Sequence, residues 1–366
     1  MTPLARIEDP EELTGRLTPQ DRRVFDRLYK VSAGVGAVRP PATMEPWVRN
    51  QFGSLEAVLS QKIVKVTNVV TFEGAVFNSL RARRPIEATD PPDIQVILSG
   101  NGHDPLEHPT EMTPEDTFGR VQGKYCITAS NIAKYDVHHG LVVFNDNHPL
   151  DFNREKVIDY LDTAERWAQE AHRRDSEAKC LLFMWNCLWR AGSTLMHGHA
   201  QMSLGRDMHY AKVEALRRAA LAYRREHMAS YFDDLYRTHE ALGLGFQVGG
   251  LRVLSHLTPI KEKEVLLISD SLNGEVKDGI YTVLATFRDC LGVSSFNLAI
   301  HRPPLAATDE DWSGFPVIVR MVDRGHHGSR SSDFGAMELY AQSVIAVDPF
   351  AVARELHAAF APARAS

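Results

Sequence analysis

The sequence of 366 residues predicts an α+β fold made of two related halves, each an antiparallel sheet covered by helices. Three observations carry that prediction. Residues 61–144 break into alternating, β-branched segments divided by Gly, Pro and Asn turns. Asn153–His172 carries Val157, Ile158, Leu161, Ala164, Trp167 and Ala168 at a spacing that puts them on one helical face. The order strand, strand, helix, strand then recurs in the second half of the chain.

Residues 1–60, rich in Glu, Arg and Pro, predict an amino-terminal helical arm, with helices over Pro19–Lys30 and Glu45–Ser60. The first half, 61–205, predicts strands over Lys62–Phe72, Ala75–Ala82, Asp93–Leu98, Lys124–Ala129 and Gly140–Phe144. The covering helix Asn153–His172 follows, and then strands Cys180–Leu188 and His197–Leu204, joined by Trp189-Arg-Ala-Gly-Ser-Thr-Leu-Met196. The second half, 206–366, begins with a long helix over Asp207–Ala241. It continues with strands Gly249–Val253 and Glu264–Ile268, helix Gly279–Cys290 and strand Ser295–Ile300. A strand over Phe334–Val347 and a helix over Pro349–Phe360 close it.

Composition narrows the function classes. With 44% hydrophobic, 24% charged and 8% aromatic residues, the chain has the make-up of an ordinary globular enzyme. A net charge of -6 argues against non-specific attraction to nucleic acid or to an anionic membrane. No stretch approaches the roughly 20 apolar residues that span a bilayer, and the first residues lack a signal-peptide pattern, so a cytoplasmic protein is expected. Cys126, Cys180, Cys187 and Cys290 are widely separated and form no Cys-x-x-Cys pair. Reduced, buried thiols are therefore expected, with no disulfide framework.

The chemistry concentrates in Met196-His-Gly-His-Ala-Gln-Met-Ser-Leu204. On a strand, His197, His199 and Gln201 at period two project from one face and would meet one ligand. A neutral imidazole attacks phosphorus when its other ring nitrogen is held by an acceptor, and His199, in the middle, is best placed for it. Two histidines on a half-exposed strand also fit a structural role or a chance metal pair.

Context adds to the motif. Asn186 precedes His197 by eleven positions across the Gly/Ser loop, and His148 stands in Phe144-Asn-Asp-Asn-His148-Pro-Leu ahead of the covering helix. With Asn78-Ser-Leu-Arg81-Ala-Arg-Arg84-Pro, these features resemble the galactose-1-phosphate uridylyltransferase-like branch of the histidine-triad superfamily. ADP-glucose phosphorylases and diadenosine tetraphosphate phosphorylases are relatives in that branch. The resemblance runs from about Val66 to Pro349 and is densest in residues 78–85 and 144–204.

It implies a histidine-triad-like fold and nucleotidyl transfer through a covalent nucleotidyl-histidine on His199, supported by His197 and Gln201. By the same resemblance Arg81, Arg84, Asn131, Asn186, Ser193 and Thr194 contact nucleotide or phosphate, guanidinium forks suiting phosphate oxygens. Arg330 and Glu338 are the implied acceptor contacts. The implied partners are a nucleotide or nucleotide-sugar and a phosphorylated small-molecule acceptor, with a homodimer as the expected assembly.

Departures from the pattern qualify it. The relatives' zinc cysteines are missing although His148 and His197 remain, which makes a zinc cofactor doubtful and leaves metal ligands unassigned. The usual His-Pro-His is His-Gly-His here, which is expected to loosen the backbone between the imidazoles. Val319-Arg320-Met321 stands where a second motif would fall, so a duplicated site is expected to have decayed. Two alternatives stay open: a nucleotide phosphorylase, to which His138-His139 before Gly-Leu-Val-Val also points, and a non-catalytic nucleotide-binding protein.

Overall fold

A computed structural model describes residues 6–83, 104–329 and 334–361 of the chain. Side-chain caps set where its helices begin. Asn153 Oδ1 accepts from Lys156 N at the start of α1 (Arg154–Arg174), and Asn273 does the same at α4 (Gly274–Asp289). Between them lie α2 (Ala211–His227) and α3 (Tyr231–Leu242), the latter capped by Ser230. Each cap satisfies a backbone donor that has no partner inside its helix.

The strands are β1 (Tyr29–Ala37), β2 (Ser60–Asn68), β3 (Gly74–Phe77), β4 (Cys126–Ser130), β5 (His138–Phe144), β6 (Ala178–Asn186) and β7 (His199–Arg206). They continue as β8 (Gly245–Val248), β9 (Leu251–Ser255), β10 (Val265–Ser269), β11 (Phe296–His301), β12 (Val317–Asp323) and β13 (Gln342–Ile345). Among the described residues, one nine-stranded sheet runs β4-β5-β7-β6-β11-β12-β10-β9-β8 with every neighbour antiparallel. A four-stranded sheet, β1-β2-β3-β13, lies apart, and β13 joins β3 in parallel.

The two halves are visible in the large sheet. β4, β5, α1, β6, β7 and β9, β10, α4, β11, β12 repeat one order, and they meet edge to edge where Met184 of β6 faces Ala299 of β11. On one face both halves pack under α1 and α4, burying Tyr160, Trp167, Trp185, Met202, Phe287, Leu298 and Met321. Side chains alternate along a strand, so Leu141, His199 and Gln201 point to the other face of the first half. In the second half that other face, with Leu254, Leu266, Ile268 and Ile318, is covered by β2, α2 and α3 through Val64, Val66, Val213, Tyr231 and Phe232.

Several expected elements differ. The arm is not wholly helical: the helix from Pro19 ends at Leu28, and Tyr29–Ala37 becomes β1 because it pairs along its whole length with β2. The helix expected over Glu45–Ser60 breaks at Gly53, whose φ of 81° is left-handed, and restarts with Ser54 as cap. Lys62–Phe72 is strand only to Asn68, where a turn begins, and Ala75–Ala82 only to Phe77 before a 3-10 turn over Ser79–Arg83. The long helix of Asp207–Ala241 is two, parted where Met228 takes φ 52°. Phe334–Val347 is a 3-10 turn over Ala336–Tyr340 followed by β13. The strand expected over Asp93–Leu98 lies outside the described residues.

Cys126, Cys180 and Cys187 are buried as expected, but Cys290 is exposed at the end of α4. Burial raises Cys126 to about 12 and Cys180 to about 11, which suppresses their thiolates. Among the described residues no helix is long and apolar enough to cross a membrane.

Candidate active site

His199 opens β7, opposite Val143 of β5, and is buried. Its Nδ1–H donates to the backbone carbonyl of His197 at 2.7 Å, which leaves the lone pair on Nε2. Burial first, and then the adjacent His197 ring, hold its pKa below the ordinary imidazole value. The ring is therefore neutral at pH 7, the form that attacks phosphorus.

His197 does not share that role. It precedes the strand, and both its ring nitrogens face protein acceptors: Nδ1 lies 2.7 Å from Asp104 Oδ2 and Nε2 2.9 Å from Phe144 O. Both nitrogens are occupied by the protein, which corrects the expectation of three groups meeting one substrate. What His197 contributes is its carbonyl, fixed by a ring pinned at both ends.

The glycine between the two histidines is tight rather than loose. A Cβ at Gly198 would stand 2.7 Å from the Phe144 ring and 3.0 Å from Asp146 O. Its N–H donates to Asn147 O and its carbonyl accepts from Phe144 N, both at 2.9 Å. The position demands a residue with no side chain and with an amide proton, which proline lacks.

Gln201, on the same face as His199, places Oε1 3.1 Å from His139 Nε2, and Asn131 Nδ2 lies 3.3 Å from the same nitrogen. In the tautomer whose Nε2–H donates to the Gln201 carbonyl oxygen, that nitrogen accepts nothing from Asn131 and the Gln201 amide NH2 is left to donate elsewhere. The ring of Tyr135 packs on His139 at 3.8 Å between centroids. Asn131, Gln201 and His139 thus form one polar group beside His199.

Asn186 ends β6, where its Oδ1 accepts from Asn297 Nδ2 at 2.7 Å. The other hydrogen of that amide goes to Ala191 O at 2.8 Å, so Asn297 fastens the loop before the histidines to the second half. Asn297 Oδ1 in turn accepts from Arg324. In that loop the buried Ser193 hydroxyl donates to Leu195 O at 2.6 Å, closing the turn, and Thr194 is exposed.

Arg81 and Glu338 are brought together, with Arg190, Lys261 and Arg324, around a polar cavity of about 300 Å³. Glu338 is paired with Lys261, and Arg190 Nε donates to Arg324 O at 3.0 Å. Arg84 and Arg330 lie outside the described residues.

The residues do not suit a metal. His197 has no free nitrogen, the His148 Nδ1 accepts from Leu150 N at 3.1 Å, and among the described residues no three His, Cys, Asp or Glu side chains converge. Sequence reasoning missed Asp104, Asn297, Arg190 and Arg324 and treated His139 as part of a pair only. His139 was legible by alternation, since it lies two residues before Leu141, the partner of Gln201. No local pattern marks Asp104 or Asn297, whose partners lie 93 and 111 positions away.

In the second half, Met184↔Gln201 and Ala299↔Arg320 are equivalent pairs around the Met184↔Ala299 junction. Arg320 therefore occupies the place of Gln201, buried between Glu264 and Glu73.

No protein-family model matches the chain, and no curated protein matches its sequence. Solved structures do match in fold. An ADP-glucose phosphorylase from Arabidopsis thaliana, solved with ADP-glucose bound, superposes with a TM-score of 0.59 at 17% identity, over 78% of this chain and 95% of that one. A galactose-1-phosphate uridylyltransferase-like protein from the same plant gives 0.56 at 15% identity, over 70% and 91%. A uridylyltransferase gives 0.54 at 14% identity, over 68% and 88%. The fold is the one that these three proteins share.

Proposed function

We propose that this chain is a nucleotidyltransferase that carries a nucleoside monophosphate on His199 Nε2. The observation that carries the reading is the 2.7 Å bond from His199 Nδ1 to the His197 carbonyl, which fixes a buried, neutral ring with Nε2 free. Nε2 attacks the α-phosphorus of a nucleotide donor, and the bond from that phosphorus to the bridging oxygen breaks, releasing a phosphate or sugar phosphate. An oxygen of a second phosphate then displaces the histidine, so kinetics are ping-pong.

The free amide of Gln201 donates to a phosphoryl oxygen as charge develops there. It offers no proton to a leaving group, so water is a poor acceptor. Arg81, Arg190 and Arg324 make the polar cavity they line suitable for the second phosphate. The resemblance to uridylyltransferases further supports a homodimer.

A nucleotide phosphorylase, in which inorganic phosphate is the acceptor, uses the same intermediate. The likeness in fold to an ADP-glucose phosphorylase favours it. One experiment serves both: intact-protein mass spectrometry after incubation with UDP-sugars, ADP-glucose, GDP-sugars, ATP or diadenosine tetraphosphate. A gain of one nucleoside monophosphate, absent in His199→Ala, establishes the intermediate and the base. Release of the adduct by inorganic phosphate or by a sugar phosphate then identifies the acceptor. No adduct with any donor overturns the proposal.

A further inference from the structure

The face of the second half that corresponds to the His199 face is covered but not filled. Between β10, β12, α2, α3 and the β2–β3 turn lies a cavity of about 200 Å³, with Leu266, Ile268 and Ile318 of the sheet on one side and Phe232 and Leu235 of α3 on another. An apolar cavity of about 150 Å³ already accepts a benzene ring.

Its polar end is balanced in charge. Glu73 Oε1 takes Arg320 Nη1 and Lys212 Nζ, each at 2.8 Å, and Glu264 takes the other side of Arg320 at 2.7 Å. Two carboxylates against two cations favour neither an anion nor a cation. His256, also in the lining and only 2% exposed, has its Nε2 3.2 Å from the Thr258 hydroxyl and 3.8 Å from Glu73 Oε2, while its buried Nδ1 has no hydrogen-bond partner among the described residues. A buried polar atom without a partner is costly and calls for one.

The rim is unusual in a second way. Phe72 is 72% exposed and takes φ 57°, a conformation that bulky residues avoid. Its N–H donates to Asn68 O at 2.8 Å, and Asn68 Oδ1 accepts from Val70 N and Thr71 N, so the turn holds the ring at the cavity mouth.

We infer that this cavity is a second small-molecule site, and that its ligand is a neutral heteroaromatic ring of nucleobase size, capped by Phe72 and hydrogen-bonded to His256. The site is independent of the chemistry assigned to His199. Its apolar walls take the ring faces, and its balanced charges leave hydrogen bonding to the ring edge as the selective contact.

The test is calorimetric titration of the full chain with adenosine, uridine, guanosine and indole. Binding of at least one probe is expected in the parent protein and unchanged in His199→Ala. Ala219→Trp, which fills the cavity from α2, abolishes it. Phe72→Asn, which suits the left-handed turn, weakens it about tenfold with no loss in Tm. The inference is overturned by no binding of any probe, by binding that His199→Ala removes, or by binding that survives both Ala219→Trp and Phe72→Asn.

Discussion

The two halves of this molecule share an order of elements, a sheet and a helix-covered face, and they differ in what happens to the opposite face. In the first half that face keeps His199, Gln201, His139 and Asn131, and among the described residues the His199 Nε2 accepts from no protein group. In the second half the β1–β3 sheet, α2 and α3 cover it, and Arg320 stands in Gln201's place between two carboxylates. The difference shows that the fold does not by itself make a nucleophile. On the proposed reading, reactivity needs a buried imidazole with one lone pair left over, whereas an ion cluster with every charge answered offers no nucleophile.

The largest effect expected from breaking this comparison is on the first half. His199→Ala removes the proposed nucleophile while Gln201 and the cavity arginines remain, and turnover should fall by at least about 10⁴-fold, as for loss of other covalent nucleophiles. Adduct mass and steady-state rate measure it; residual turnover near the parent level would place the reaction elsewhere. The matching change in the second half, Arg320→Met, should act on stability and leave the His199 chemistry alone. Glu264, almost fully buried, and Glu73 lose their shared cation, and breaking a buried pair costs about 3–5 kcal/mol. Urea unfolding measures that loss, and the folded variant should still form the His199 adduct at the parent rate.

Which of these features the sequence discloses follows from how local each one is. Asn153–His172 and Pro349–Phe360 were readable because periodicity and caps are local, and the period-two spacing of His199 and Gln201 places both on one face of β7. The strand β1 was hidden because most of its residues are exposed, and its identity comes from pairing with β2 rather than from a buried alternation. Breaks at Gly53 and Met228 depend on single residues in the left-handed region, which pattern matching over a long window averages away. The roles of Asp104 and Asn297 arise from contacts made in folding, and nothing in their neighbourhoods announces them.

Gly198 offers an intermediate test, because it couples packing to the nucleophile. The methyl of Gly198→Ala meets the Phe144 ring, itself stacked on Tyr160 at 3.7 Å, and the Asp146 carbonyl. Overpacking of this kind costs about 1–3 kcal/mol. Relaxation must move either the His197 carbonyl or the β5 end, so adduct formation should slow as stability falls. A variant as stable and as fast as the parent would show that the loop between the histidines has the slack that its sequence first suggests.

The smallest effect concerns how the free nitrogen is kept free. Burial holds the pKa of His199 below 6.5, so protonation silences it only at pH values lower than that. The rate of adduct formation should therefore stay flat from pH 8 to 6.5 and decline below. Asp104→Asn retains an oxygen that can accept from His197 Nδ1, but removes the charge that strengthens that bond and that favours the protonated His199 ring, so His199 stays neutral. If Asp104 works by holding the His197 carbonyl still, the variant should form adduct about tenfold more slowly with unchanged donor affinity, the signature of lost orientation rather than lost binding. A weakened donor affinity with an unchanged rate would instead make Asp104 part of the substrate pocket, and the first half's advantage over the second would then lie in contacts rather than in a pinned carbonyl.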